Sequence, residues 1–439
     1  MKNLHWIIGI VLLGSYACDP KEDPVPDPSG LGVKSAIFES MSEWYLWNEE
    51  LPSVADYSKF DSNEELLEAI KFKPLDRFSY LTTQEEFNNS FVGKNAGHGF
   101  GYAFGGDGKL YISFVFEESP AGKDGWKRGW EITHINGKPI SEYQTSGGAY
   151  DFKLGEPDPG VTNTFTFKLP DGKTATRSNV KAEYQSNSVL EKKIFDLNGK
   201  KVGYWAYQSF KATAGLSPAQ SKEVKTSMEF FQNSGIQDLI IDLRYNGGGS
   251  VAVAEQIVNN LIQASNSGKL MYVNKYNKLK SSLASNRNFA KIGSINLNRV
   301  IFITSRGSAS ASELVINILD AYLDVVLIGD NTYGKPVGSF PLSPYNKVLR
   351  NNNVELVPIT FAIANAEGKA DYFEGFPADF AVGDSPQYPW GDERDLRVAA
   401  ALNFIQDGNV SGRMLNTYYK PKWEMIDDFK GLRQEFPAY

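Results

Sequence analysis

Gly307-Ser308-Ala309-Ser310-Ala311-Ser312-Glu313 follows the apolar run Val300-Ile301-Phe302-Ile303-Thr304 and precedes a segment with apolar residues at Leu314, Ile316 and Leu319. The run predicts a buried strand and the segment a helix over 311–321, so Ser310 stands at a strand-to-helix junction. At such a junction the first N–H groups of the helix lack intrahelical partners, and the dipole favours a developing negative charge. Two readings fit: a serine nucleophile beside an oxyanion site, or a tight helix cap without chemistry.

A serine hydroxyl needs a proton acceptor within reach before it attacks a carbonyl. Of the three histidines, His5 lies in an apolar N-terminal segment, and His98 and His134 lie in a region that reads as a separate module. Lysine is the remaining base. Lys335, in Thr332-Tyr333-Gly334-Lys335, follows Ser310 by 25 residues (335 minus 310). A lysine accepts a proton only as the neutral amine, which burial favours, and Val326, Ile328 and Val337 are apolar residues near it in sequence. Glu313 reads as a first-turn carboxylate complementing the helix dipole.

Upstream, Leu239-Ile240-Ile241-Asp242-Leu243-Arg244 predicts a second buried strand, followed by Tyr245-Asn246-Gly247-Gly248-Gly249 and a helix over 251–262. Glycines between strand and helix permit positive φ and a close backbone approach. A phosphate loop is the weaker reading, since neither a Gly-Lys-Ser/Thr ending nor Gly-x-Gly-x-x-Gly spacing is present. The better one is an oxyanion-hole loop, with the N–H groups of Gly248 and Ala311 as the donor pair.

In this order and spacing, Asp242-Leu243-Arg244-x-Asn246-Gly-Gly-Gly, Ser308-Ala309-Ser310-Ala311-Ser312-Glu313 and Thr332-Tyr333-Gly334-Lys335 resemble the C-terminal processing (tail-specific) protease family. The resemblance runs from about residue 35 to residue 405. It implies an α/β fold with a ClpP/crotonase-like protease core, and Ser/Lys endopeptidase chemistry carried by Ser310 and Lys335. The family's lysine motif usually continues Gly-Lys-Gly-Ser-Val-Gln, whereas here Pro336-Val337-Gly338-Ser339 follows the lysine. Ser339 takes the place of the orienting glutamine, and its hydroxyl can exchange a hydrogen bond with the lysine at shorter reach. A catalytically weak or inactive peptide-binding lipoprotein on a protease scaffold is therefore the alternative function. An acyl-CoA enzyme on the crotonase fold is disfavoured by the Ser/Lys spacing.

Ser119-Pro120-Ala121 and Ile135-Asn136-Gly137, with Gly99-Phe100-Gly101-Tyr102 before them, resemble a PDZ domain. The resemblance implies an inserted β-rich module over 94–182, with Gly99, Phe100, Gly101 and Tyr102 as the peptide-binding loop. A β-rich spacer without ligand is the alternative. Trp130 stands where an aspartate is common, and His134 reads as a packed or surface histidine.

Residues 1–17 read as a signal peptide, too short for a membrane span. Cys18, the sole cysteine, excludes an internal disulfide and resembles a lipoprotein attachment site, with Ser15 loosening the match. Lys21-Glu22-Asp23 resembles the export signal of surface lipoproteins in Bacteroidetes-type bacteria. These features imply an exported cell-envelope lipoprotein, at the periplasmic side or surface of the outer membrane, held through a lipid on Cys18. The alternative is an exported soluble protein. Residues 18–32 form an acidic, proline-rich tether, 33–93 an N-terminal helical cap, 183–405 the protease core and 406–439 a C-terminal extension. The stripe Ile37, Met41, Trp44, Tyr45 and Trp47 is read as core. Asp379 is read as structural.

The chain has 439 residues, a net charge of -7 and 13% aromatic residues. This supports two or three domains and, without a basic cluster, argues against nucleic acid as a partner. No metal or cofactor signature is present. The expected partners are proteins or peptides with exposed C-termini.

Overall fold

The computed structural model describes residues 30–410. The signal peptide, Cys18, most of the tether and most of the C-terminal extension lie outside the described residues.

The β-branched runs form one six-stranded sheet, ordered Val189–Leu197, Lys200–Tyr207, Asp238–Asp242, Arg299–Thr304, Asp324–Gly329 and Phe380–Ala381. The first pair is antiparallel and every later pair is parallel. Parallel neighbours require crossovers, and the helices Lys222–Ser234, Val251–Leu261 and Ala311–Asp320 supply them. Both sheet faces are covered, which is why these strands read as unbroken apolar runs. On one face Trp205, Leu239, Ile241, Val300 and Phe302 pack with those crossover helices. On the other, Ile240, Ile301, Ile303 and Ile328 pack against Val398, Ala401 and Ile405 of the helix Leu396–Asp407.

A second sheet orders Ser285–Asn288, Leu270–Tyr276, Ile359–Asn365 and Val337–Ser339. The apolar run from Leu356 to Ile363 is broken at Pro358, which has no N–H for a ladder. Its first piece, Glu355–Val357, pairs with Tyr80–Thr82, and its second, Ile359–Asn365, pairs with Leu270–Tyr276. The helical cap is thereby stitched to the protease core. Val33, Ile37, Met41, Leu66, Leu67 and Ile70 of its helices Leu31–Trp44 and Asn63–Ile70 share one cluster with Val337, Leu342, Leu349, Leu356 and Ile359.

The inserted module is a sheet ordered Phe100–Phe104, Leu110–Val115, Glu131–Ile135, Thr162–Lys168 and Thr174–Val180, with Lys138–Pro139 beside its third strand. The short pair Lys94–Gly97 and Ala182–Gln185 closes it where the chain enters and leaves.

Candidate active site

Asp238–Asp242, Arg299–Thr304 and Asp324–Gly329 are neighbours in the sheet and parallel, so the loops after their C-terminal ends emerge side by side. Those loops carry Asn246 to Gly249, Ser305 to Ser310 and Thr332 to Lys335. A crevice outside the carboxyl ends of parallel strands is the usual ligand position in open α/β sheets.

Asn246, fully buried, joins the first loop to the second. Its Nδ2 donates to the Tyr207 carbonyl at 2.8 Å, and its own carbonyl accepts from the Ala309 N–H at 3.1 Å and the Ser312 hydroxyl at 3.0 Å. Its Oδ1 accepts from the Gly248 N–H at 2.9 Å. The donor pair anticipated from sequence is altered in this respect, because the Gly248 N–H already has an acceptor. Ala311 stands at the first helical position, where the helix offers its N–H no acceptor. The need for glycine at 248 is steric. With φ of 111°, a Cβ there would lie 2.7 Å from Ser310 Cβ and 3.0 Å from the Ala311 nitrogen.

Ser308 ties the second loop to the first and third. Its hydroxyl donates to the Leu243 carbonyl at 2.8 Å, and its carbonyl accepts from the Tyr333 N–H at 2.9 Å. Ser310 then adopts φ 56° and ψ -113°, a strained backbone for a residue with a Cβ. Such strain, on a sharp turn before a helix, exposes a side chain at the head of the sheet.

Glu313 holds the arrangement together. It is fully buried. Its Oε1 accepts from the Thr332 hydroxyl and the Gly334 N–H, both at 2.6 Å. Its Oε2 accepts from the Lys335 N–H at 2.8 Å and the Ser310 N–H at 3.0 Å. Burial pushes its carboxyl above the usual range, against these bonds, which favour the carboxylate. The sequence reading of Glu313 as a dipole-complementing surface acid missed this. The available signal was the Ser-x-x-Glu spacing of a capping box, in which the third-position acid reaches back to the cap N–H.

Lys335 is 4% exposed, and its Nζ lies 5.7 Å from the centroid of the Phe78 ring. Ser339 sits in the strand Val337–Ser339 with its backbone paired to Ile359. The stretch Glu374 to Asp379 packs over the lysine loop. The Phe376 N–H donates to Thr332 Oγ1 at 2.7 Å, and a Cβ on Gly375 would meet the Thr332 carbonyl at 2.2 Å. The Asp379 N–H donates to the Leu327 carbonyl at 2.9 Å, and Asp379 Oδ2 accepts from the Leu327 N–H at 2.8 Å.

Residues 201–351 match the family model described as Peptidase family S41, and residues 32–80 match the one described as the Peptidase S41 N-terminal domain. Both the cap and the core of this chain thus match models of peptidase family S41. It is 27% identical over 232 residues to the carboxy-terminal processing protease CtpB of Bacillus subtilis strain 168, covering 52% of this chain and 44% of that one. It is 23% identical over 276 residues to the chloroplastic carboxyl-terminal-processing peptidase 3 of Arabidopsis thaliana, covering 59% of this chain and 50% of that one. The chain thus spans about half the length of these curated relatives. The solved structure of a candidate S41 protease from Bacteroides fragilis NCTC 9343 superposes with a TM-score of 0.66 at 24% identity, over 84% of this chain and 96% of that one. At that identity the likeness concerns the fold.

Between the two S41 matches lies the inserted β-rich module. Among the described residues, its strand Phe100–Phe104 pairs only with Leu110–Val115 and so forms an open edge of the sheet. Gly99 and Gly101 are required by packing, since a Cβ would meet Ser119 Cβ at 2.0 Å and the Phe114 ring at 2.2 Å respectively. Beside this edge no helix forms over residues 144–161. A short hairpin closed by Gln144 and Tyr150 stands there, and its aromatic rings pack onto the strand, Phe152 at 5.0 Å from Tyr102 and Tyr150 at 4.9 Å from Phe104. His98 is buried between Asn179 Oδ1 at 2.6 Å and Asn163 Oδ1 at 2.8 Å. No group of three or more His, Cys, Asp or Glu residues suited to a metal occurs among the described residues.

The module meets the core through charges. Arg128 donates to the carbonyls of Ser113 and Tyr388, each at 2.7 Å, and reaches Asp395 at 3.4 Å. Asp395 also pairs at 2.8 Å with Arg244, whose other partners are Asp242 and Asp384, both at 2.7 Å. Arg244 lies two residues before Asn246, so one buried network connects the module to the base of the glycine loop.

Proposed function

We propose that this chain is a serine endopeptidase that cuts polypeptides near their C-termini with a Ser310/Lys335 dyad. The carrying observation is that the backbone N–H groups of Ser310 and Lys335 converge on one buried carboxylate, Glu313, beyond the carboxyl ends of three parallel strands. Neutral Lys335 takes the Ser310 hydroxyl proton as Oγ bonds to the peptide carbonyl carbon. The oxyanion meets the Ala311 N–H in the space left by Gly248, with the Gly248 N–H turned from Asn246 as second donor. The lysine proton passes to the leaving amine as the C–N bond breaks, and water then hydrolyses the acyl-enzyme.

The open edge of Phe100–Phe104 supports docking of a substrate tail as an added strand, with Gly99 to Tyr102 at its carboxylate end. The N-terminal segment and Cys18 support export and lipid anchoring in the cell envelope. Mass spectrometry of the membrane fraction tests this: a diacylglycerol on Cys18 agrees, and a soluble, unmodified thiol contradicts it.

A second reading, a peptide-binding protein with little turnover, is favoured by one observation, the Gly248 N–H held by Asn246. Incubating the chain with an unstructured polypeptide ending in apolar residues separates the two, since fragments appear in the first case and bound, uncut polypeptide in the second.

A further inference from the structure

Two consecutive peptide groups lead into Lys335. In the first, the Tyr333 carbonyl accepts from Arg77 Nη2 at 3.1 Å, and the Gly334 N–H donates to Glu313 at 2.6 Å. In the second, the Gly334 carbonyl accepts from the same Nη2 at 3.0 Å, and the Lys335 N–H donates to Glu313 at 2.8 Å. Both peptide dipoles therefore point the same way, negative ends on a cation and positive ends on an anion. Consecutive peptide groups in an extended chain face opposite sides. Gly334, with φ of 96°, turns the second to match the first, and a Cβ there would stand 2.1 Å from the Phe373 carbonyl.

Arg77 comes from the N-terminal helical cap, 256 residues away from Tyr333 in sequence. It is held in turn. Its guanidinium carbon lies 4.9 Å from the ring centroids of both Phe78 and Tyr333, and Nη2 also donates to the Phe373 carbonyl at 3.0 Å. The turn bearing Arg77 and Phe78 is fixed by buried Asp76. Asp76 Oδ1 accepts from the N–H groups of Phe78 and Ser79 at 2.9 Å, and Oδ2 from the hydroxyls of Tyr45 and Ser79 at 2.6 Å. Ser79 Oγ accepts from the Ile359 N–H at 3.0 Å, so the turn is anchored to the core as well.

We infer that Arg77 is a positioning residue for Lys335, and that the N-terminal cap is part of the catalytic apparatus through it. The inference rests on the reading of Lys335 as the base. Arg77 fixes the two peptide planes from the carbonyl side as Glu313 does from the N–H side, which sets the direction in which the lysine side chain leaves the backbone. Misplacement of a catalytic group by about 1 Å costs on the order of 10²-fold in rate.

The test compares the full-length wild type with Arg77→Met, Arg77→Lys, Lys335→Ala and Ser310→Ala. It uses cleavage of an unstructured polypeptide with an apolar C-terminus, thermal unfolding, and hydrogen exchange of residues 333–335. Arg77→Met is expected to lower kcat by on the order of 10²-fold with KM within about twofold, and to speed exchange of the Gly334 and Lys335 amides by tenfold or more. Arg77→Lys, which keeps a cation at the carbonyls, restores most of both. Arg77→Met with wild-type kcat and exchange overturns the inference. So does a loss of kcat that tracks a lowered Tm and is not rescued by lysine. If Lys335→Ala cleaves like the wild type, or the wild type cleaves nothing, the reading of the dyad fails, and the inference of a catalytic role falls with it. If Lys335→Ala is dead and Arg77→Met is not, only the inference fails.

Discussion

Ser310 and Lys335 present their backbone N–H groups to a single oxygen, Oε2 of Glu313, at 3.0 and 2.8 Å. The proposed nucleophile at a helix start and the proposed base in a following loop are brought into register by the acid three residues after Ser310. Four donors on one buried carboxylate make that acid a fixed bracket.

Replacing Glu313 with Gln keeps the shape but turns one acceptor into a donor, so two of the four donors face an N–H group. Each orphaned buried donor costs about 1–3 kcal/mol. Glu313→Gln is expected to lower kcat by roughly 10²-fold or more while the chain still folds, read by steady-state kinetics beside circular dichroism. A variant with unchanged kcat refutes the bracket.

The pH dependence of Glu313 has two opposed parts. Its folded carboxyl titrates above the ordinary value of 4.5, so activity that needs the ionised bracket is lost on acidification while the pH is still above that value. Stability runs the other way. A raised folded pKa means that the native state holds the proton more tightly, so this group's contribution is complete below about 4.5 and declines as pH rises through the folded pKa. The acid limb of kcat should precede any acid unfolding. Coincidence of the two would contradict the assignment.

Gly248→Ala tests the steric reading of the glycine loop. The added methyl would sit 2.7 Å from Ser310 Cβ on a backbone at φ 111°. Turnover should fall by at least about 10²-fold, since the loop or the serine must move by a few tenths of an ångström to an ångström. Wild-type turnover would show that this approach does not matter.

Lys211, fully buried against Phe116 with its Nζ donating to Ser186 Oγ, is pushed down to about 7 by desolvation. Between about 7 and 10.5 the unfolded state binds the proton that the folded state has released, so stability rises with pH across that window. Lys211→Met removes the burial penalty. The variant should be more stable than the wild type at pH 7, by up to on the order of 4 kcal/mol at about 1.36 kcal/mol per unit, with the gain shrinking toward pH 10. A gain independent of pH would refute this account of the lysine.

Arg128→Met removes the module's cation from the network at Asp395 while leaving Arg244 in place. Breaking a buried pair from one side costs about 3–5 kcal/mol. Because Arg128 also holds the Ser113 and Tyr388 carbonyls, the loss should appear as faster proteolysis within residues 94–182 ahead of the core. Unchanged protease resistance there would argue that the module is held by other contacts.

Much of the core was legible because each motif follows a β-branched run ending in small residues, a local pattern that needs no knowledge of the fold. The strand Arg299–Thr304 and the helices Val251–Leu261 and Ala311–Asp320 form where the local pattern placed them. What was not legible is what depends on partners distant in sequence. Glu313 looks like any acid in a first helical turn until the lysine loop folds over it. Arg77 finds its acceptors at Tyr333, Gly334 and Phe373. The run around Pro358 is uniform in composition, but the proline hands its halves to two different sheets. In the inserted β-rich module, Tyr143, Tyr150 and Phe152 occupy the flank of the edge strand without a helix, a choice made by ring packing that periodicity does not display.

The central claim is tested most directly by incubating wild type, Ser310→Ala and Lys335→Ala with an unstructured polypeptide ending in apolar residues and following intact mass over time. The account predicts C-terminal fragments from the wild type alone, with either substitution lowering turnover by up to about 10⁶-fold. Cleavage at wild-type rate by Lys335→Ala, or by Ser310→Ala, would contradict it.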